Sequence, residues 1–133
     1  MPPVVADTHA AVWYLARSPL LSASARQAMA GAVATGDAVY VASISLVELR
    51  YLVDRGRLPE SAFQALDDAL VDPNVALQLV PLDHTVARAV GQVPRNLVPD
   101  MPDRIIAASA LALDVPLVTR DAQLRSAPLT TIW

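Results

Sequence analysis

Short apolar runs recur along this chain at Val4 to Ala6, Ala38 to Ala42, Val75 to Val80, Pro116 to Thr119 and Thr130 to Trp133. Each is strand length, and the intervals before the last turn are long enough for one or two helices. Strands alternating with helices at these spacings imply an α/β chain with a mostly parallel central sheet, covered by helices on both faces. A helix runs through Ala10 to Leu15 and is broken by Pro19. A second is capped by Ser22 and runs through Ala32, with Gly36 near its end. Ser43 caps a third that ends at Gly56, and Pro59 with Glu60 start a fourth that stops before Pro73. Asp83 caps a fifth to about Ala89. The segment Val93 to Pro102, with Pro94, Pro99 and Pro102, reads as one long loop before a helix over Asp103 to Leu113. A short turn surrounds Asp121.

At 133 residues the sequence reads as a single domain, residues 1–133, large enough to bury about two-thirds of its unfolded surface. Hydrophobic residues are 54% of the chain and charged residues 17%, which excludes a disordered tail. No apolar run reaches the roughly 18 residues that a membrane span needs. The first residues hold no basic segment followed by a continuous apolar stretch, so a cytoplasmic protein is expected. Cysteine is absent, which excludes disulfides and thiolate metal sites. The net charge of −3 argues against nucleic-acid binding through a broad basic surface. It leaves room for an enzyme that grips phosphates through a bound metal and a few arginines. All ten basic residues are Arg.

Four acids sit in or beside these apolar segments: Asp7 after Val4-Val5-Ala6, Glu48 within Ile44 to Leu49, Asp103 before Arg104-Ile105-Ile106, and Asp121 after Leu117 to Arg120. A carboxylate on a core-facing surface costs several kcal/mol unless a positive partner compensates it. At helical spacing Ile44, Val47, Glu48, Tyr51 and Leu52 share a face, so Glu48 interrupts an apolar stripe. Asp103 heads a stripe of Ile106, Ala107, Ala110 and Leu111, in a first turn where the macrodipole favours negative charge. Asp7 and Asp121 follow strands and belong at the carboxyl edge of the sheet, where sites of open α/β folds form. Taken singly, Asp7 also reads as a helix cap, Asp103 as a first-turn acid and Asp121 as a turn residue.

Arg104 and Arg120 adjoin two of the acids as ion-pair partners, but two cations do not balance four anions, and Asp100 adds a fifth. The excess calls for a divalent cation. Oxygen ligands without cysteine or a placed His pair favour Mg²⁺, with Mn²⁺ as substitute. His9 reads as a surface residue or one behind the ligands, and His84 as uninvolved. No glycine-rich phosphate loop, nucleophile elbow or cysteine nucleophile is present. Clustered carboxylates with Mg²⁺ suit phosphodiester hydrolysis.

The segments Val5-Ala6-Asp7-Thr8-His9, Ser43 to Leu49, Pro102 to Ala108 and Leu117 to Asp121 together resemble the PIN-domain family, and within it the VapC-type toxins of type II toxin–antitoxin pairs. The resemblance covers essentially the whole length. It implies a Rossmann-like α/β/α sandwich and a Mg²⁺-dependent endoribonuclease that inhibits translation and growth. It implies too a homodimer and a cognate VapB-type antitoxin. Asp7, Glu48, Asp103 and Asp121 match the family's acidic metal positions, with Asp100 secondary. Thr119 matches a hydroxyl beside the site, Thr8 is expected to orient Asp7, and Arg17, Arg50 or Arg104 to hold neighbouring phosphates. Many relatives carry a further acid shortly after the Asp121 position, whereas Gln123 and Leu124 stand here, which leaves open one metal ion or two. The alternatives are a non-toxin PIN nuclease of RNA processing and an inactive PIN-like binding module. A haloacid-dehalogenase-type phosphatase would need an Asp where His9 stands.

Overall fold

The strands form one sheet in the order β3-β2-β1-β4-β5, with every pairing parallel. The computed structural model describes residues 2–133. Its strands are β1 (Val4–Ala6), β2 (Val39–Ala42), β3 (Leu77–Val80), β4 (Leu117–Val118) and β5 (Thr131–Ile132). The helices are α1 (Thr8–Leu15), α2 (Ala23–Ala34), α3 (Ser43–Asp54), α4 (Glu60–Val71), α5 (His84–Ala89), α6 (Met101–Leu113) and α7 (Ala122–Ser126).

Period-two alternation sends successive strand residues to opposite faces. Val4, Ala6, Val39, Val41 and Val118 pack with α1 to α4 around Met29, Leu49 and Leu66. Val5, Ala42 and Leu117 pack on the other face with Ile106, Ala107 and Ala110 of α6 and Leu124 of α7. Because both faces are covered, the central strands carry no polar alternation, which is why they are legible as continuous apolar runs. The expected α/β/α architecture is present. Among the described residues, no helix is long and apolar enough to cross a membrane.

Several local expectations change. Ser43 does not cap α3: Ala42 holds that position without a side-chain bond, and the Ser43 hydroxyl accepts instead from the Leu82 N–H. The proline-rich loop is shorter than expected. A single 3-10 turn occupies Val90–Gln92, and α6 starts at Met101 with Asp100 as its cap. Proline is tolerated in the first helical turn, where its missing N–H would have no partner, so Pro102 does not delay the helix. The turn at Asp121 opens a further short helix, α7.

The α3 stripe also needs correction. Val47 and Tyr51 are 49% and 59% exposed, while the helix buries Ser45 and Leu49. The apolar spacing around Glu48 therefore marks a mixed face: Ile44 packs against the core, whereas Val47 and Tyr51 point outward. Glu48 itself is half-buried, at the boundary between the two faces.

Candidate functional site

The order of strands reverses at β1. The chain steps outward from β1 through β2 to β3, then returns along α5 and α6 to β4 on the other side of β1. From neighbouring strand ends, β1 feeds α1 on one face and β4 feeds α7 on the other. That divergence opens a crevice beyond the carboxyl ends of β1 and β4, the usual location of sites in open α/β sheets. A cleft of about 390 Å³ lies there. Asp7, Thr8, Glu48, Asp100, Asp103 and Asp121 line it, together with His9, Trp13, Ile106 and Arg120.

Asp7, Asp100 and Asp121 are each the N-cap of a helix, accepting from the N–H of Ala10 (2.8 Å), Asp103 (3.1 Å) and Leu124 (3.0 Å) respectively. Asp103 lies in the first turn of α6. Capping and convergence on the cleft are thus properties of the same carboxylates. The positive ends of the helix dipoles offset part of their mutual repulsion.

Two buried hydroxyls organise the acids. Thr119 Oγ1, at the end of β4, donates to Asp7 Oδ2 (2.5 Å) and accepts from the Asp121 N–H (3.1 Å). Thr8 Oγ1 lies 2.8 Å from Glu48 Oε1 and 2.9 Å from the Ser45 hydroxyl. A hydroxyl has one proton to give, so Thr8 donates to the carboxylate and Ser45 supplies the proton of the second bond. Thr8 therefore orients Glu48, not Asp7 as expected. Ser45, fully buried, carried no sequence signal beyond its place on the same helix.

The electrostatics are those of crowded carboxylates. Burial raises the Asp7 carboxyl above its ordinary value, opposed by the Thr119 and Ala10 hydrogen bonds and by His9, with Asp121 adding to the rise. Burial likewise raises Glu48 against the Thr8 hydrogen bond, and Asp100 and Asp7 push it further. Asp103 is pushed up to about 7, first by burial and then by Asp100, Asp121, Glu48 and Asp7. Oxygens of Glu48, Asp100 and Asp103 lie within 4.8 Å of one another. Among the described residues the ion pairs join Arg50 to Asp54 and Glu60, away from the cleft. An all-oxygen donor set with excess negative charge fits a hard divalent cation such as Mg²⁺.

All four acids singled out in the sequence line this cleft, and Asp100, ranked second there, belongs to its tightest oxygen cluster. Asp100 and Asp121 are exposed, so their apolar sequence neighbours did not mean burial. The expected phosphate-binding arginines lie elsewhere. Arg104 donates to the carbonyls of Val90 (3.1 Å) and Val93 (2.9 Å), tying the preceding loop to α6. Arg50 is engaged by Asp54 and Glu60 over the Phe63 ring. Arg17 lines a separate cleft with Tyr14 and Arg26. Arg120 lines the acidic cleft instead, stacked on Trp13, a contact between residues distant in sequence with no signal in it. His9 lies in the cleft against Trp13, and His84 lines a different one.

Thr119→Val should separate the hydroxyl's role from its volume. Losing both hydrogen bonds at a fully buried position should cost about 1–3 kcal/mol in chemical denaturation. It should also raise the Asp7 carboxyl further and weaken any divalent-cation binding seen by calorimetry. Thr119→Ser should retain most of both. Equal metal affinity in the Val and Ser variants would show that the bridge to Asp7 is dispensable.

A parallel α/β/α sandwich with an acidic crevice at the point where strand order reverses defines the general class. Residues 4–128 match the PIN domain family, and the chain belongs to it. It is 33% identical over 126 residues to Ribonuclease VapC22 of Mycobacterium tuberculosis, covering 95% of this chain and 92% of that protein. Among solved structures it resembles VapBC2 from Rickettsia felis, bound to a DNA fragment from their promoter. The TM-score there is 0.70 at 21% identity, over 97% of this chain and 96% of that one. FitAcB from Neisseria gonorrhoeae matches with TM-score 0.61 at 24% identity, over 96% and 95% of the two chains.

Proposed function

We propose that this chain is a Mg²⁺-dependent endoribonuclease, the toxin of a VapBC-type toxin–antitoxin pair. The observation that carries the reading is the convergence of Asp7, Glu48, Asp100, Asp103 and Asp121 on one cleft with no neutralising ion pair among the described residues. Similarity to a relative named a ribonuclease supports the reaction class. Similarity to chains solved as VapBC assemblies supports a VapB-type antitoxin as partner. A homodimer acting in the cytoplasm on RNA, inhibiting translation and growth, completes the reading. The arrangement of the acids favours it over an inactive binding module, because ordered and uncompensated carboxylates are a cost that binding protein or RNA does not require.

In this reading Asp7, Asp103 and Asp121 would hold Mg²⁺, with Asp100 supplementary. When bound, such an ion would supply Lewis-acid activation of water and charge stabilisation for phosphodiester hydrolysis. The chain's own residues do the positioning. Asp7 spends one lone pair of each oxygen on Ala10 and Thr119, and the other pair of each stays available. Glu48 is held at Oε1 by Thr8, so its Oε2 joins the ligand set or orients the attacking water. In-line attack on the scissile phosphate leaves a 5′-phosphate and a 3′-hydroxyl.

Induced expression in bacteria, with sequencing of RNA ends, tests the reading directly. Growth should arrest, new RNA ends should carry 5′-phosphates, and the purified protein should lose cleavage in EDTA and regain it with Mg²⁺ or Mn²⁺. Absence of arrest together with absence of cleavage under either metal would favour the binding module.

A further inference from the structure

The cleft is lined by Glu48, Asp100 and Asp103 from α3 and the start of α6, and by residues of α1 and the end of β4, where Asp7 and Asp121 stand beside aromatic and basic side chains. His9 and Trp13 stand four residues apart on α1, with ring centroids 5.4 Å apart. Trp133, beyond β5, backs Trp13 with a centroid distance of 6.0 Å. Strand alternation places Arg120 on the side of the sheet that Val118 faces, which is the side of α1. Its guanidinium carbon sits 4.7 Å from the centroid of the Trp13 ring.

Arg120 differs from Arg26, Arg104 and Arg50, and unlike Arg17 it lines the acidic cleft. Arg26 donates to the Ser18 carbonyl, Arg104 to Val90 and Val93, and Arg50 to Glu60. Among the described residues Arg120 has no hydrogen-bond acceptor and no carboxylate within ion-pair distance, although it directly precedes Asp121. It is exposed at the mouth of the cleft, while Trp13 beneath it is only 9% exposed. A planar cation resting on a fixed indole is pre-organised, and its donors remain unused. The geometry suits a bidentate contact to a phosphate. Arg120 lines the same cleft as the acids, so a strand laid over them would pass its guanidinium.

Resting on the nuclease reading above, we infer that Arg120, seated on Trp13, binds a backbone phosphate adjacent to the scissile one. It thereby sets how the RNA strand lies across the acids. Trp13 is the positioning residue that fixes the guanidinium.

The test uses the full chain, first wild type for Mg²⁺-dependent cleavage of single-stranded RNA, then Arg120→Gln and Arg120→Lys. Binding of the same RNA is measured across a salt series in the Asp7→Asn background. Arg120→Gln should raise KM about tenfold with a smaller change in kcat, and should flatten the salt dependence of binding by about 0.7 in logarithmic slope, one phosphate contact on a single strand. Arg120→Lys, which keeps the charge but not the fork, should restore the slope and only part of KM. Mg²⁺ affinity measured without RNA should not change. If wild type cleaves and Arg120→Gln keeps its KM and salt slope, the inference is overturned and the nuclease reading stands. A lowered Tm with unchanged KM and slope would likewise overturn it, reducing Arg120 to a cover for Trp13. A wild type that neither binds nor cleaves RNA would overturn both.

Discussion

Asp7→Asn is expected to abolish Mg²⁺-dependent RNA cleavage while the fold survives intact. Asn caps helices about as well as Asp, so the bond from the Ala10 N–H to the side-chain oxygen persists. The Thr119 hydroxyl can turn to accept from the new amide, since it both donates and accepts. What disappears is one negative charge at the centre of the proposed ligand set. The loss in kcat should be at least about 10²-fold, the scale of removing one preorganised electrostatic contact. Stability should move the other way. Because burial and Asp121 disfavour the ionised Asp7 carboxyl, the metal-free variant should melt at the same temperature as wild type or higher. Cleavage at the wild-type rate by a folded Asp7→Asn protein would remove Asp7 from the site. A collapsed melting temperature would make it structural.

The second large effect is a coupling between pH, metal and stability. The Asp103 carboxyl is pushed from 3.8 to about 7, and Asp7 and Glu48 are shifted in the same direction. A raised carboxyl means that the folded state holds its proton where the unfolded chain has released it. The associated stability is fully present below 3.8 and is lost as pH rises through about 7, after which it is flat. Mg²⁺ must displace that proton, so its apparent affinity should rise over the same window. Between pH 6 and pH 8 the gain from one carboxyl approaches tenfold, reduced by solvent screening at this half-buried position. Thermal melts with and without Mg²⁺ at the two pH values check this. The metal-induced rise in Tm should be a few degrees larger at pH 8. An equal rise at both, or none, would contradict proton–metal competition at these acids.

The parallel architecture was legible because the central strands are buried on both faces, leaving runs such as Val4-Val5-Ala6 and Val39-Tyr40-Val41-Ala42 without polar alternation. Ser22, Asp83, Gly36 and Gly56 marked helix ends because capping and positive φ (+79° and +72° at the two glycines) are local requirements. The start of α6 ahead of Pro102 follows from a local signal, the Asp100 cap, whereas the boundary at Ser43 differs because its hydroxyl is engaged by the distant Leu82. The α3 stripe failed for a related reason. Spacing identifies which residues share a face, but only packing decides whether that face points inward.

The same division holds for the site. Asp7, Glu48, Asp103 and Asp121 could be listed from sequence because charge beside apolar runs is a local anomaly. Their convergence on one cleft, the Thr119 and Thr8 bridges, the promotion of Asp100 and the unpaired Arg120 on Trp13 were decided only by tertiary structure. Contacts such as the Thr119–Asp7 hydrogen bond, between residues 112 positions apart, depend on strand order and register, which no local spacing encodes.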